Sequence, residues 1–175
     1  MTSEPYHVLF LCTGNSARSQ MAEALLNRLA EGRFRAFSAG SHPAAAVHPL
    51  TLEMLARAGL ETESLRTKSW DEFAEPDALK LDFVFTVCDK AAAETCPVWP
   101  GQPLSAHWGF PDPADYEACN EAERRAVFAD VFRQIQNRIR LLVSLPVERL
   151  DRLSLQRRLD QIGESALDSS DPDAE

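Results

Sequence analysis

Eight residues near the N-terminus, Cys12-Thr13-Gly14-Asn15-Ser16-Ala17-Arg18-Ser19, have the types and spacing to hold a tetrahedral oxyanion and attack it. Five residues between a cysteine and an arginine suffice to wrap such an anion with backbone N–H groups turned inward. Gly14 is expected to supply a backbone conformation barred to other residues. A helix starting near Ala17 brings its positive end to the anion. The planar fork of Arg18 can grip two oxygens at once. Cys12 lies at the base of this cradle, where donors suited to an anion also favour a thiolate. Ser19 can add a hydrogen bond to that sulfur. The expected oxyanion-binding set is therefore Thr13, Gly14, Asn15, Ser16, Ala17, Arg18 and Ser19. A core thiol at a strand end is the plain alternative, and it leaves the Gly-Asn pair and the following helix unexplained.

Two further stretches carry reactive side chains. Asp112 stands in His107-Trp-Gly-Phe-Pro-Asp112-Pro-Ala. An Asp before proline is held extended or in a turn, so this residue by itself reads as a turn former or an acid. Cys88-Asp-Lys-Ala-Ala-Ala-Glu-Thr-Cys96-Pro places two thiols either side of an Ala-rich run, expected to be helical from Asp89 to Thr95. The gap is wide for a zinc pair and no second pair accompanies it, so no metal is expected. Cys119 follows the Asp112 loop and reads as incidental.

These residues need a scaffold that brings them together. His7–Leu11 is a short apolar run, the mark of a buried strand. Met21, Leu25 and Leu29 recur every four positions, predicting a helix over 17–30 that ends before Gly32. Phe34–Ser38 predicts a second strand, 49–58 a short helix opened by Pro49, Phe83–Val87 a third strand and Leu104–Trp108 a weaker fourth. Val127, Phe128, Val131, Phe132, Ile135, Ile139 and Leu142 form the apolar stripe of a helix over 121–142. Leu150, Leu153, Leu159 and Ile162 suggest one more, packed on the domain surface or presented for self-association. Alternating strands and helices imply an α/β fold with a parallel sheet covered on both faces, and a site at the carboxyl ends of its strands. Strand 1 ends at Cys12 and strand 3 at Cys88, so both thiols emerge on one edge of the sheet.

The chain has 175 residues and a net charge of -9. That suits one core and argues against nonspecific nucleic-acid binding. Residues 1–145 are expected to form the domain, 146–163 a helical extension and 164–175 an acidic, disordered tail. No apolar run reaches the ~20 residues of a membrane helix, and the first residues lack a basic start and cleavage site. The expected location is the cytoplasm, where four cysteines are packing residues, metal ligands or catalysts rather than structural disulfides.

From about Tyr6 to Leu142, and most sharply over Cys12–Ser19, the chain resembles the low-molecular-weight tyrosine phosphatases and the arsenate reductases sharing their fold. The resemblance implies a three-layer α/β/α architecture with a four-stranded parallel sheet. It implies Cys12 as nucleophile, Arg18 as oxyanion ligand, Asn15 as the side chain shaping the loop and Asp112 as general acid. His-Trp-Gly-Phe before Asp112 is similar to the arsenate reductases, and phosphatase chemistry has no use for Cys88 and Cys96. The resemblance therefore also implies reduction of arsenate through a Cys12–Cys88–Cys96 disulfide relay, reset by thioredoxin or by glutaredoxin with glutathione, with no cofactor. A tyrosine phosphatase is the alternative, and a noncatalytic oxyanion- or phosphopeptide-binding module the third reading. In the relay, ~12 Å of helix between Cys88 and Cys96 must unwind to reach disulfide distance.

The chain departs from its relatives in three places. Ala17 stands where many have a second loop cysteine, and the Cys88–Cys96 gap is longer. Positions similar to a potassium site in some relatives are Asn15, Glu23 and Ser38, and here Lys68 is expected to replace the cation with its own charge.

Overall fold

The computed structural model describes residues 4–115 and 120–165. Strands β1 (Tyr6–Cys12), β2 (Phe34–Gly40), β3 (Phe83–Thr86) and β4 (Leu104–His107) run parallel in the order β2-β1-β3-β4. The helices are α1 (Arg18–Leu29), α2 (Pro49–Arg57), α3 (Asp89–Ala93), α4 (Glu121–Val143) and α5 (Arg152–Ser165). The predicted α/β fold and its four-stranded sheet are present. None of the described helices is long and apolar enough to cross a membrane.

Strand β1 is central and covered on both sides, and Val8 to Cys12 are buried without a polar face. Side chains alternate between two unequal cores. On one face Val8, Phe10, Phe83, Phe85 and Ala106 meet Met21 and Leu26 of α1, Leu55 of α2, Phe128 and Ile135 of α4 and Leu159 of α5. On the other, Leu9, Leu11, Ala39 and Val84 meet Phe73 and Leu81, with Trp70, Cys96 and Trp99 at the margin. That thinner side carries a 3₁₀ turn (Trp70–Phe73) and extended chain.

Helix ends follow local chemistry. Asn120 Oδ1 accepts from Glu123 N–H at 2.9 Å to start α4. His48 Nδ1 accepts from Leu50 N–H at 3.1 Å, and Pro49 opens α2. Helix α3 is shorter than the residues predict. The chain is extended again at Glu94, three residues before Pro97. The continuous seven-residue helix, and the ~12 Å span built on it, therefore do not hold.

Helix α5 lies along β4. Leu155, Leu159 and Ile162 enter the larger core, each contributing about 2 kcal/mol by burial. Trp108 Nε1–H donates to the Leu159 carbonyl at 3.0 Å. Gln156 and Arg152 donate to the carbonyls of Ser105 and Gln102 at 2.8 and 2.9 Å. A Cβ at Gly163 would stand 2.6 Å from the His107 carbonyl, so only glycine allows this approach. Cys119 and most of the acidic 164–175 segment lie outside the described residues.

Candidate active site

The loop after β1 is held from outside by its carbonyls. The Thr13 carbonyl accepts from His42 N–H, Gly14 from Ala44 N–H, and Ser16 from His48 N–H, all at 2.9–3.0 Å. Ser16 accepts also from the Thr51 hydroxyl at 3.0 Å, and Asn15 from Gln20 Nε2 at 2.9 Å. Because a peptide unit is planar and trans, carbonyls pinned outward turn the following N–H groups inward. The Asn15 N–H already points at Cys12 Sγ, 3.1 Å away. Helix α1 starts at Arg18 with no side chain capping it, which leaves its first N–H groups to serve the same concavity.

Asn15 shapes the loop. It is fully buried, its Nδ2 donates to Ser19 Oγ (2.8 Å) and Ser38 Oγ (3.0 Å), and its Oδ1 accepts from Lys68 N–H (3.0 Å). Its φ of 51° makes it the left-handed residue of the loop. That corrects the expectation for Gly14, whose φ is not positive and whose added Cβ would meet only Ser16 Oγ at 3.7 Å. Asn tolerates this conformation when its side chain has local partners. The glycine the loop needs is Gly40 of β2, where a Cβ would stand 2.5 Å from the Thr13 carbonyl.

Cys12 Sγ lies 2.8 Å from Ser19 Oγ. Since Ser19 Oγ accepts from Asn15, its proton is available to the sulfur. Burial is the largest influence on Cys12 and pushes its thiol above the usual range. The Ser19 hydrogen bond pulls it down, nearby Cys88 raises it and Arg18 lowers it. The expected thiolate stabilisation is thus present and outweighed by desolvation.

Arg18 reaches across the mouth of the loop. Its Nη1 donates to the Phe110 carbonyl at 3.0 Å, and its Nη2 lies 3.3 Å from Asp112 Oδ2. Asp112 Oδ1 accepts from Ala114 N–H at 3.0 Å, an Asx turn that aims the carboxyl. Behind Phe110 lies Arg138, 2% exposed, its guanidinium 4.2 Å from the ring centroid. Its Nε and Nη1 have no acceptor among the described residues, and burial brings its pKa down to about 10.

Cys88 caps α3, its sulfur accepting from Ala91 N–H at 3.4 Å, and lies 3.6 Å from the Thr13 hydroxyl. Thr13, Gly14, Ser16, Ala17, Arg18, Cys88 and Asp112 line one cleft of about 430 Å³. Cys96 does not join them. It sits half-buried on the thinner face, where burial and then Glu94 push its thiol up. All three thiols are free.

Beside the loop, the Lys68 ammonium donates to the carbonyls of Ser38 (2.8 Å) and Arg66 (2.9 Å) and lies 3.8 Å from Glu23 Oε1. Burial lowers Lys68 and raises Glu23, while each opposes the other's shift. The loop's outer supports (His42, Ala44, His48, Thr51, Gln20) and Arg138 do not stand out in the sequence. Most act through backbone groups that carry no residue signature.

The low molecular weight phosphotyrosine protein phosphatase family matches residues 7–156. The arsenate reductase of Bacillus licheniformis is 36% identical over 134 residues, 76% of this chain and 91% of that protein. Among solved structures, the Corynebacterium glutamicum thioredoxin-dependent arsenate reductase Cg_ArsC1' aligns with a TM-score of 0.57 at 29% identity, covering 81% of this chain and 62% of that one. An arsenate reductase from Archaeoglobus fulgidus aligns at 0.56 and 32% identity, covering 75% and 98%. With residues 7–156 matched, the chain belongs to the low molecular weight phosphotyrosine protein phosphatase family.

Proposed function

We propose that the protein reduces arsenate to arsenite with its own thiols and is reset by thioredoxin or a similar dithiol donor. The observation that carries this reading is the second buried thiol at the rim of the loop: Cys88, 3.6 Å from Thr13 and in the same cleft as Arg18 and Asp112. Ester hydrolysis has no role for it.

Four exchanges complete the cycle. Cys12 sulfur attacks arsenic within the loop and its inward N–H groups, while Asp112 protonates the departing oxygen, which leaves as water. The Cys88 thiolate then attacks Cys12 sulfur. A sulfur–sulfur bond forms, the sulfur–arsenic pair goes to arsenic, and arsenite leaves two electrons richer. Cys96 attacks Cys88, freeing Cys12 as a thiolate. The donor dithiol reduces the Cys88–Cys96 disulfide and takes the oxidising equivalents away. Because Cys96 lies outside the cleft, this third exchange needs residues 89–96 to rearrange. Lys68 supplies the positive charge that supports Ser38 and Asn15 behind the loop.

The test is arsenate-dependent NADPH oxidation with thioredoxin and thioredoxin reductase, for the native chain and Cys88→Ser. Turnover that disappears in the variant supports the relay. Activity only with glutathione and glutaredoxin changes the donor. Silence with both, alongside fast aryl-phosphate hydrolysis, would make the protein a phosphatase.

A further inference from the structure

The segment His107-Trp108-Gly109 closes β4 and takes no part in the four exchanges. His107 Nε2 lies 2.9 Å from Asp89 Oδ1, and Nδ1 lies 2.8 Å from Thr86 Oγ1. A carboxylate only accepts, so Asp89 holds the ring proton on Nε2 and Nδ1 accepts from the Thr86 hydroxyl. Gly109 makes room for this pair: a Cβ there would stand 2.9 Å from His107 Nε2 and 3.1 Å from Asp89 Oδ1. Asp89 opens α3, directly after Cys88. On its other side His107 faces a cavity of about 530 Å³, whose walls include Thr86, Ala92, Cys96 and Asp160.

The cavity is the space Cys96 shares with the sheet, and Cys96 is the thiol with the least help. Its surroundings raise its pKa, burial first and Glu94 second. A protonated thiol is a poor nucleophile. We propose that His107 accepts the Cys96 proton in the exchange that moves the disulfide from Cys12–Cys88 to Cys88–Cys96, and that Asp89 withholds it until α3 opens. This rests on the relay proposed for the protein's function.

The partners set the sequence of events. While α3 is formed, the Asp89 carboxylate occupies Nε2. When residues 89–96 rearrange, Asp89 leaves with them. Nε2 then gives its proton to water and Nδ1 takes one from water, which it donates to the Thr86 hydroxyl as acceptor; the Nε2 lone pair is left at the place Asp89 vacated, on the approach of Cys96 to Cys88. The Cys96 thiol proton passes to Nε2. The Cys96 sulfur pair forms the bond to Cys88, the Cys12–Cys88 bond breaks, and its pair leaves on Cys12. One disulfide is exchanged for another, with no net change in electrons. The titratable groups around His107 are Asp89 from α3, Cys96 from the segment after it and Asp160 from α5.

A single turnover with one equivalent of arsenate, quenched by alkylation and mapped by mass spectrometry, separates the exchanges. In His107→Gln the Cys12–Cys88 disulfide is expected to form as in the native chain. Its conversion to Cys88–Cys96 should slow by roughly 100-fold and recover in part with added imidazole. His107→Asn, which keeps an amide toward Thr86, serves as a second variant and should behave alike. Conversion at native speed in both variants, or slow conversion that ignores imidazole, would overturn the proposal. Absence of any Cys12–Cys88 disulfide in the native chain would overturn the relay itself.

Discussion

In the proposed relay the Cys12 loop and the Cys88–Cys96 segment each present sulfur to the same reaction, yet they are built oppositely. The loop is tied at every carbonyl from Thr13 to Ser16, and its key side chain, Asn15, is fully buried with each polar atom engaged. The segment has one short helix, an exposed Asp89 and a C-terminal half in extended chain. A nucleophile that must meet a tetrahedral anion gains from preorganisation. A thiol that must travel gains from weak local structure.

The contrast breaks most severely at Asn15. Asn15→Ala strands the polar groups of Ser19, Ser38 and Lys68, and should cost about 3 kcal/mol of stability with roughly 100-fold in arsenate kcat/KM. Denaturant titration and steady-state assays measure both. On the other side, Ala92→Gly loosens α3 by up to about 1 kcal/mol. Global stability should hardly change, while Cys88–Cys96 disulfide formation quickens by about fivefold; slower formation would mean the helix guides the exchange rather than restrains it.

Arg138→Met sharpens the comparison from behind the acid loop. It removes a buried cation whose Nε and Nη1 lack acceptors among the described residues, so calorimetry should show a gain of about 1–2 kcal/mol. Arsenate turnover should fall, because Phe110 and the Asp112 loop lose the cation stacked beneath them.

The smallest effect concerns pH. Folding raises the Cys12 thiol, chiefly by burial. The stability it contributes is therefore full below the unfolded thiol's pKa and fades as pH climbs through the folded one. Cys12→Ala should flatten the alkaline decline of the thermal midpoint. In the native chain, Cys12 alkylation should reach half its maximal rate above the ordinary thiol range, and further above it in Ser19→Ala.

Much of this could be read from residues alone. Cys12 and Arg18 announced the loop by spacing, and apolar periodicity announced β1, α1 and α4, because each buries a face that only one pattern satisfies. The placement of Cys88 beside Cys12 followed from strand ends. What stayed hidden was cooperative. The left-handed residue is Asn15 rather than Gly14, since its bonds to Ser19, Ser38 and Lys68 offset the cost of its conformation. Helix α3 stops at Ala93 although Glu94 has adequate propensity, and no local signal marks the stop. Nothing local marks Arg138 as buried, as its stripe on α4 is set by Phe110 far away in sequence.

The position of α5 has a consequence beyond packing. β4 is the last strand of the sheet, and an open last strand is a template on which a second molecule can add its own. With α5 alongside, its side chains taking the carbonyls of Ser105 and Gln102 and Gly163 pressed to His107, that template is denied to neighbours. The helix thus works as a guard against edge-to-edge aggregation, and in the proposed relay it is most needed while the segment leading into β4 opens and closes.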